Sequence, residues 1–133
     1  MRIAHCELKG ITGHDAGRQL LAGLYRQETG EDLPEIAVTD RGKPYFPDSF
    51  WHFSISHTPH HAFCVLSENN VAIDAEELDR KVNLKLADKI LSQPERERFD
   101  AAKDKTRALL TFWVLKEAEA KLSGEGLQIY PNH

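Results

Sequence analysis

Carboxylates and cations recur at spacings that bring them onto common faces. Asp74 and Glu76 lie two apart in Val71-Ala72-Ile73-Asp74-Ala75-Glu76. On a strand both would point to one face, ~6.6 Å apart at ~3.3 Å per residue. Two oxygen donors on one face are a start for Mg²⁺, which takes one or two carboxylates plus waters and substrate phosphates. A solvated sheet edge explains the same pair when it is read alone. Glu117 and Lys121 lie four apart on a helical stretch and share a face. A carboxylate for a metal beside an ammonium for a phosphate is the chemical reading, and an ordinary ion pair is the plain one. Lys116 lies about 100° round the helix from Glu117 and has the weaker claim.

Other groups carry less chemistry by themselves. Gly42-Lys43-Pro44 is a turn before Tyr45-Phe46, without the spacing of a P-loop. Ser54-Ile55-Ser56-His57-Thr58 ends a strand, where a histidine and a hydroxyl can donate to a phosphate. Ser56 and His57 face opposite ways, which speaks against a nucleophile pair. His57, His60 and His61 crowd together without the partners of a zinc site. Glu95 is sufficiently explained as the partner of Ser92 in a capping box. Cys6 and Cys64 read as small buried hydrophobes, with no C-x-x-C motif and no disulfide framework.

The elements that must position these groups follow from periodicity. Thr12, with Asp15 three residues on, opens a helix whose apolar face is Leu20, Leu21, Leu24 and Tyr25, and Gly30 stops it. Ile36–Thr39 is a short strand ended by Asp40-Arg41-Gly42. Trp51, Phe53 and Ile55 alternate with polar residues as in a half-buried strand. Ala62–Leu66 and Val71–Ala75 are two further strands, and Ser67–Asn70 between them predicts a hairpin. Asn83 caps a helix with Leu84, Ala87, Ile90 and Leu91 on one side. Ser92-Gln93-Pro94-Glu95 starts the next helix. The last helix covers roughly Arg107–Leu122, ends at Gly124 and Gly126, and is apolar all round at Leu109–Leu115, so its first half is expected to be buried. The fold class is therefore α+β, an antiparallel sheet with helices packed against it.

The 133 residues suit one domain, with 1–68 as a first half and 71–133 as a second. Hydrophobic residues make up 41% and charged residues 29%, the composition of a soluble globular chain. A net charge of −4 lowers the expectation of sequence-blind nucleic-acid binding. No signal-peptide core and no run of ~20 apolar residues is present, so neither membrane insertion nor secretion is expected, and the cytoplasm is the expected compartment.

Taken in order, the motifs resemble a known family. Gly42-Lys43-Pro44, Phe53-Ser54-Ile55-Ser56-His57, Ile73-Asp74-Ala75-Glu76 and Trp113 to Lys121 with Gly124 are similar to the GKP, F-x-x-SH, G-I-D-x-E and W-x-x-KE-x-x-x-K-x-x-G motifs of the 4'-phosphopantetheinyl transferases of the Sfp type. Ser92 to Glu95 matches the S-x-x-E between the last two, and Asp15–Leu21 resembles the family's first basic helix. The resemblance implies transfer of the phosphopantetheine arm of coenzyme A to a serine of an apo acyl or peptidyl carrier protein, with adenosine 3',5'-bisphosphate released. It implies that Asp74, Glu76 and Glu117 hold Mg²⁺. Lys121 would meet the phosphates, and Glu117 would act as base. Lys43 and Pro44 would flank the adenine end. Ser56 and His57 would meet nucleotide phosphates, with Arg18 at the 3'-phosphate. Ala72 stands where the family has Gly, and both ends are shorter than in the Sfp type. Exposed edges could then be covered by a second copy, which makes a homo-oligomer an open expectation. Ala72 and the short C-terminus favour the alternative of a non-catalytic coenzyme A- or carrier-protein-binding member of the same fold. An unrelated metal-dependent hydrolase ranks last, because the GKP turn and the serine-rich strand have no role in it.

Overall fold

A computed structural model describes residues 1–78 and 81–123. Its elements run β1 (Arg2–Glu7), α1 (Gly13–Thr29), β2 (Ala37–Val38), β3 (Pro44–Tyr45), β4 (His52–His57) and β5 (His61–Ser67). A 3-10 turn at Leu84–Leu86 follows, then α2 (Ala87–Ile90), α3 (Gln93–Ala101) and α4 (Lys105–Ser123). The architecture is α+β with antiparallel sheets. The expected stop at Gly124 and Gly126 lies outside the described residues.

Helix α1 forms where its punctuation predicts. The Thr12 hydroxyl accepts the Asp15 N–H at 3.1 Å. Gly30 takes the left-handed conformation (φ 73°), and its N–H closes on the Arg26 carbonyl at 2.8 Å. That conformation is strained for residues with a Cβ, hence the glycine. The buried face of α1 carries Ala16, Gly17, Leu21, Leu24 and Tyr25.

That face lies on a three-stranded sheet ordered β1-β5-β4. Phe53 pairs with Leu66 and Ile55 with Cys64, so these four share one sheet face. Leu21, Leu24, Tyr25, Phe46, Phe53, Cys64 and Leu66 form the first core. Burial pushes the Cys64 thiol up to about 12, which makes it a packing residue rather than a nucleophile.

Three expectations are corrected here. Val71–Ala75 forms no strand, and no hairpin joins it to Ala62–Leu66; β5 instead pairs with β1 and β4. The physical reason lies on the other face of β4. Its alternating serines, not its backbone, meet the 71–76 segment: Ser54 Oγ accepts the Ile73 N–H and Ser56 Oγ accepts the Ala75 N–H, each at 3.1 Å. The segment is therefore fixed by side chains where a ladder was expected. The third correction concerns α4. Leu109 and Leu110 are buried, but Leu115 is 60% exposed, because a single helix side meets its neighbours.

A second core gathers Ala87, Ile90, Leu91, Phe99 and Leu109. Asn83 Oδ1 accepts the Lys85 N–H at 3.0 Å to start this region. Ser92 caps α3 through the predicted capping box, with Glu95 Oε1 accepting the Ser92 N–H at 2.8 Å. Lys105 Nζ donates to the carbonyls of Phe99, Asp100 and Ala102, closing the C-terminal end of α3. Among the described residues, no helix is long and apolar enough to cross a membrane.

Candidate active site

The site forms where the Lys121 side chain, near the end of α4, reaches β4 and the 71–76 segment. Lys121 arrives there because residues 117, 120 and 121 lie on neighbouring positions of one helical side. Its Nζ donates to Asp74 Oδ1 at 3.1 Å, to the Ile73 carbonyl at 3.0 Å and to the Ile55 carbonyl at 3.3 Å. An ammonium has three donors, and all three are engaged. The same Asp74 oxygen accepts the Ser56 hydroxyl at 3.3 Å. Asp74 is thus oriented by one cation and one hydroxyl, with its side chain 11% exposed.

Glu117 sits on α4 one turn before Lys121. Burial pushes its carboxyl above the ordinary carboxylate value. The negative charge of Asp74 acts in the same direction, Lys121 opposes it, and Glu76 adds a smaller push upward. Asp74, Glu76 and Glu117 therefore share one electrostatic neighbourhood, although 43 positions separate Asp74 from Glu117 in the sequence.

A cleft of about 200 Å³ opens beside these groups, lined by Arg41, Lys43, Pro44, Ile55, Glu117 and Lys121, among others. The Gly42-Lys43-Pro44 turn forms its far wall. Lys43 is held by its backbone N–H on Thr39 Oγ1 at 3.0 Å. Its Nζ donates to Asn70 Oδ1 and to the Leu122 carbonyl, both at 3.3 Å. The turn is therefore tied directly to the end of α4 that carries Lys121.

The predicted residues divide into those that meet and those that do not. Glu117, Lys121, Lys43 and Pro44 line the cleft; Asp74 does not line it but is held by Lys121, and Glu76 is in electrostatic reach of Glu117. Ser56 is buried, its hydroxyl engaged with Asp74 and Ala75. His57 faces the opposite side of the sheet, where a Cβ on Gly13 would fall 2.3 Å from its ring. It lines a second, more open hollow with Thr12 and Thr58. Arg18 lies on α1 and is not among the residues that line the cleft. Lys116 turns to α3 and pairs with Glu95 at 2.9 Å. Burial alone would raise Glu95, but the Lys116 and Ser92 hydrogen bonds hold it below the ordinary carboxylate value.

Sequence reading passed over Arg41, Asn70, Ser54 and Glu77. The Ser-x-Ser-x-Thr period running from β4 into the residue after it was the available signal for Ser54. Glu77 accepts the Thr58 hydroxyl at 2.7 Å, and that hydrogen bond holds its carboxyl below the ordinary value despite partial burial. Nothing in the sequence separated it from its neighbour Glu76.

Hard carboxylate oxygens suit Mg²⁺, which is usually held by one or two of them, with phosphate and water completing its six positions. Among the described residues no cluster of three or more His, Cys, Asp or Glu forms a ready cage. Asp74, Glu76 and Glu117 do not form an all-protein cage here, and a cation held by them would need phosphate or water to complete its positions. The upward push that Asp74 and Glu76 exert on Glu117 is the field such a cation would relieve.

No curated protein was found to match the chain. Residues 70–132, the part that carries Asp74, Glu76, Glu117 and Lys121, match the family model of the 4'-phosphopantetheinyl transferase superfamily, which supports a transferase.

Proposed function

We propose that the chain transfers the 4'-phosphopantetheine arm of coenzyme A to a serine of an apo acyl or peptidyl carrier protein, with Mg²⁺, as enzymes of the Sfp type do. The observation that carries this reading is the 3.1 Å clasp between Lys121 and Asp74 beside a cleft walled by Lys43 and Pro44. It joins three of the motifs that carry the resemblance at one place. Asp74, Glu76 and Glu117 would hold the metal. When bound, it supplies charge neutralisation and polarisation at the pyrophosphate.

The protein's own groups then have definite tasks. Lys121 meets the phosphates as a point charge. It must release one of its present acceptors to do so, and the Ile55 carbonyl, at 3.3 Å, is the longest contact. Lys43 and Pro44 flank the nucleotide end. Glu117 takes the proton of the incoming serine hydroxyl, directly or through a water. The serine oxygen forms a bond to the phosphorus next to the pantetheine arm, and the bond to adenosine 3',5'-bisphosphate breaks.

Release of that co-product tests the reading. Incubation with coenzyme A, Mg²⁺ and an apo carrier protein should release adenosine 3',5'-bisphosphate, measured by chromatography, in proportion to carrier. No release over background, with intact coenzyme A recovered, would contradict it. A non-catalytic binder would instead bind coenzyme A or carrier in calorimetry without release.

A further inference from the structure

Strand β4 and the residue after it carry hydroxyls at every second position: Ser54, Ser56 and Thr58. They point to the sheet face away from α1, and all three are buried, at 7%, 6% and 6% exposure. The segment carrying Asp74 and Glu76 meets them at the same two-residue period. Ser54 takes the Ile73 N–H, Ser56 takes the Ala75 N–H, and Thr58 donates to Glu77 Oε1. Each contact joins residues 19 apart, so the segment runs parallel to β4 in a single register.

The three rungs are not chemically alike. The first two use backbone N–H groups, which almost any residue supplies. A slip that brought Ala75 to Thr58 would keep rungs of that kind at the serines. It would leave Thr58 without its carboxylate and would carry Asp74 two residues away from Lys121. The third rung meets the segment through a side chain alone, where the Ser56 rung adds only a longer 3.3 Å contact to Asp74 Oδ1 beside its backbone N–H. His60 Nδ1 and His61 Nδ1 lie 3.3 and 3.6 Å from the same Glu77 oxygen, so the β4–β5 turn grips it from two further sides.

We propose that Glu77 is a positioning residue: its carboxylate, latched by Thr58, sets the register in which Asp74 is presented to Lys121 and Glu76 to Glu117. The proposal rests on the transferase reading for the use made of Asp74 and Glu76, but not for the latch itself. Loss of the latch leaves both acids in the chain and loosens the segment that holds them.

The test compares the intact protein with Glu77→Ala and Glu77→Gln by two readouts. One is amide hydrogen exchange at Ile73 and Ala75, with Cys64 and Leu66 as core references. The other is Mn²⁺ binding, followed by the electron paramagnetic resonance of free Mn²⁺. Glu77→Ala should speed exchange at Ile73 and Ala75 by about tenfold, as loss of a hydrogen bond to a charged group would. Cys64 and Leu66 should not change. Mn²⁺ affinity should fall by about tenfold, as for other groups that orient metal ligands. Glu77→Gln keeps an oxygen for the Thr58 hydroxyl and should stay close to wild type in exchange. Unchanged exchange in Glu77→Ala would overturn the proposal. So would equal acceleration at the core references, or a Gln variant as fast as the Ala variant. If the wild-type protein binds no Mn²⁺, the metal reading falls by itself, and exchange at Ile73 and Ala75 decides the latch.

Discussion

The closeness of α1 to β4 makes a sharp prediction from two glycines in one helix. Gly17 and Gly23 both lie inside α1. Alanine is favoured over glycine in a helix interior by ~1 kcal/mol, so both changes begin with the same gain. A Cβ on Gly23 meets nothing within 4 Å, so Gly23→Ala should keep that gain. A Cβ on Gly17 falls 2.3 Å from Ile55 Cγ2. Ordinary carbon contacts need ~3.5–4.0 Å, so helix and strand must part by more than about 1 Å. Overpacking of this kind costs ~1–3 kcal/mol. Set against the helix gain, Gly17→Ala should lose up to about 2 kcal/mol. At ~4 °C per kcal/mol for a chain of this size, Tm should rise by ~4 °C in Gly23→Ala and fall by up to ~8 °C in Gly17→Ala. Calorimetry reads both. The effect should reach the site, because Ile55 lines the cleft and its carbonyl accepts from Lys121. In an Ile55→Ala background the clash disappears, and Gly17→Ala should become stabilising. A Gly17→Ala protein as stable as Gly23→Ala would refute the claim that helix–strand contact fixes this wall.

Three more outcomes follow from other parts of the molecule. Ser92→Ala removes the α3 cap and should lower stability by ~1 kcal/mol in urea unfolding. Lys121→Met strips the Asp74 carboxylate and two carbonyls of their donor; it should cost ~1–3 kcal/mol and slow transfer by ~10²–10³-fold, measured as co-product release. Glu117 has a folded-state carboxyl raised above 4.5, so its contribution to stability is fully present below that pH and is lost as pH rises through the folded value. Without divalent cations, Glu117→Gln should therefore melt above wild type at neutral pH, and the gap should close as pH falls toward 4.5. A gap that widened in acid would reverse the sign of the argument.

Local signals in the sequence were legible where they are enforced by the backbone. Thr12 and Gly30 bound α1, and Ser92 with Glu95 opens α3, because caps answer the unpaired N–H and C=O groups of helix ends. The Asp74, Glu117, Lys121 and Lys43 grouping was legible only through the order of motifs, since nothing local joins residues 43, 74 and 121. The segment 71–76 misled because its apolar alternation is that of a strand. Its N–H groups are met by serine hydroxyls on the neighbouring strand, and an alternation rule cannot see an acceptor 19 residues away. The opposed faces of Ser56 and His57 followed from strand period, but the role of Ser56 under Asp74 needed the fold. The exposed Leu115 shows the limit of hydropathy, which reports an apolar stretch without saying how many sides of it have neighbours.

Intact mass of a purified apo carrier protein, after incubation with this protein, coenzyme A and Mg²⁺, tests the central claim most directly. The account predicts a gain equal to one phosphopantetheine arm, prevented by EDTA and absent with Asp74→Asn. An unchanged mass across acyl and peptidyl carrier proteins, or a gain that survives both EDTA and Asp74→Asn, would contradict it.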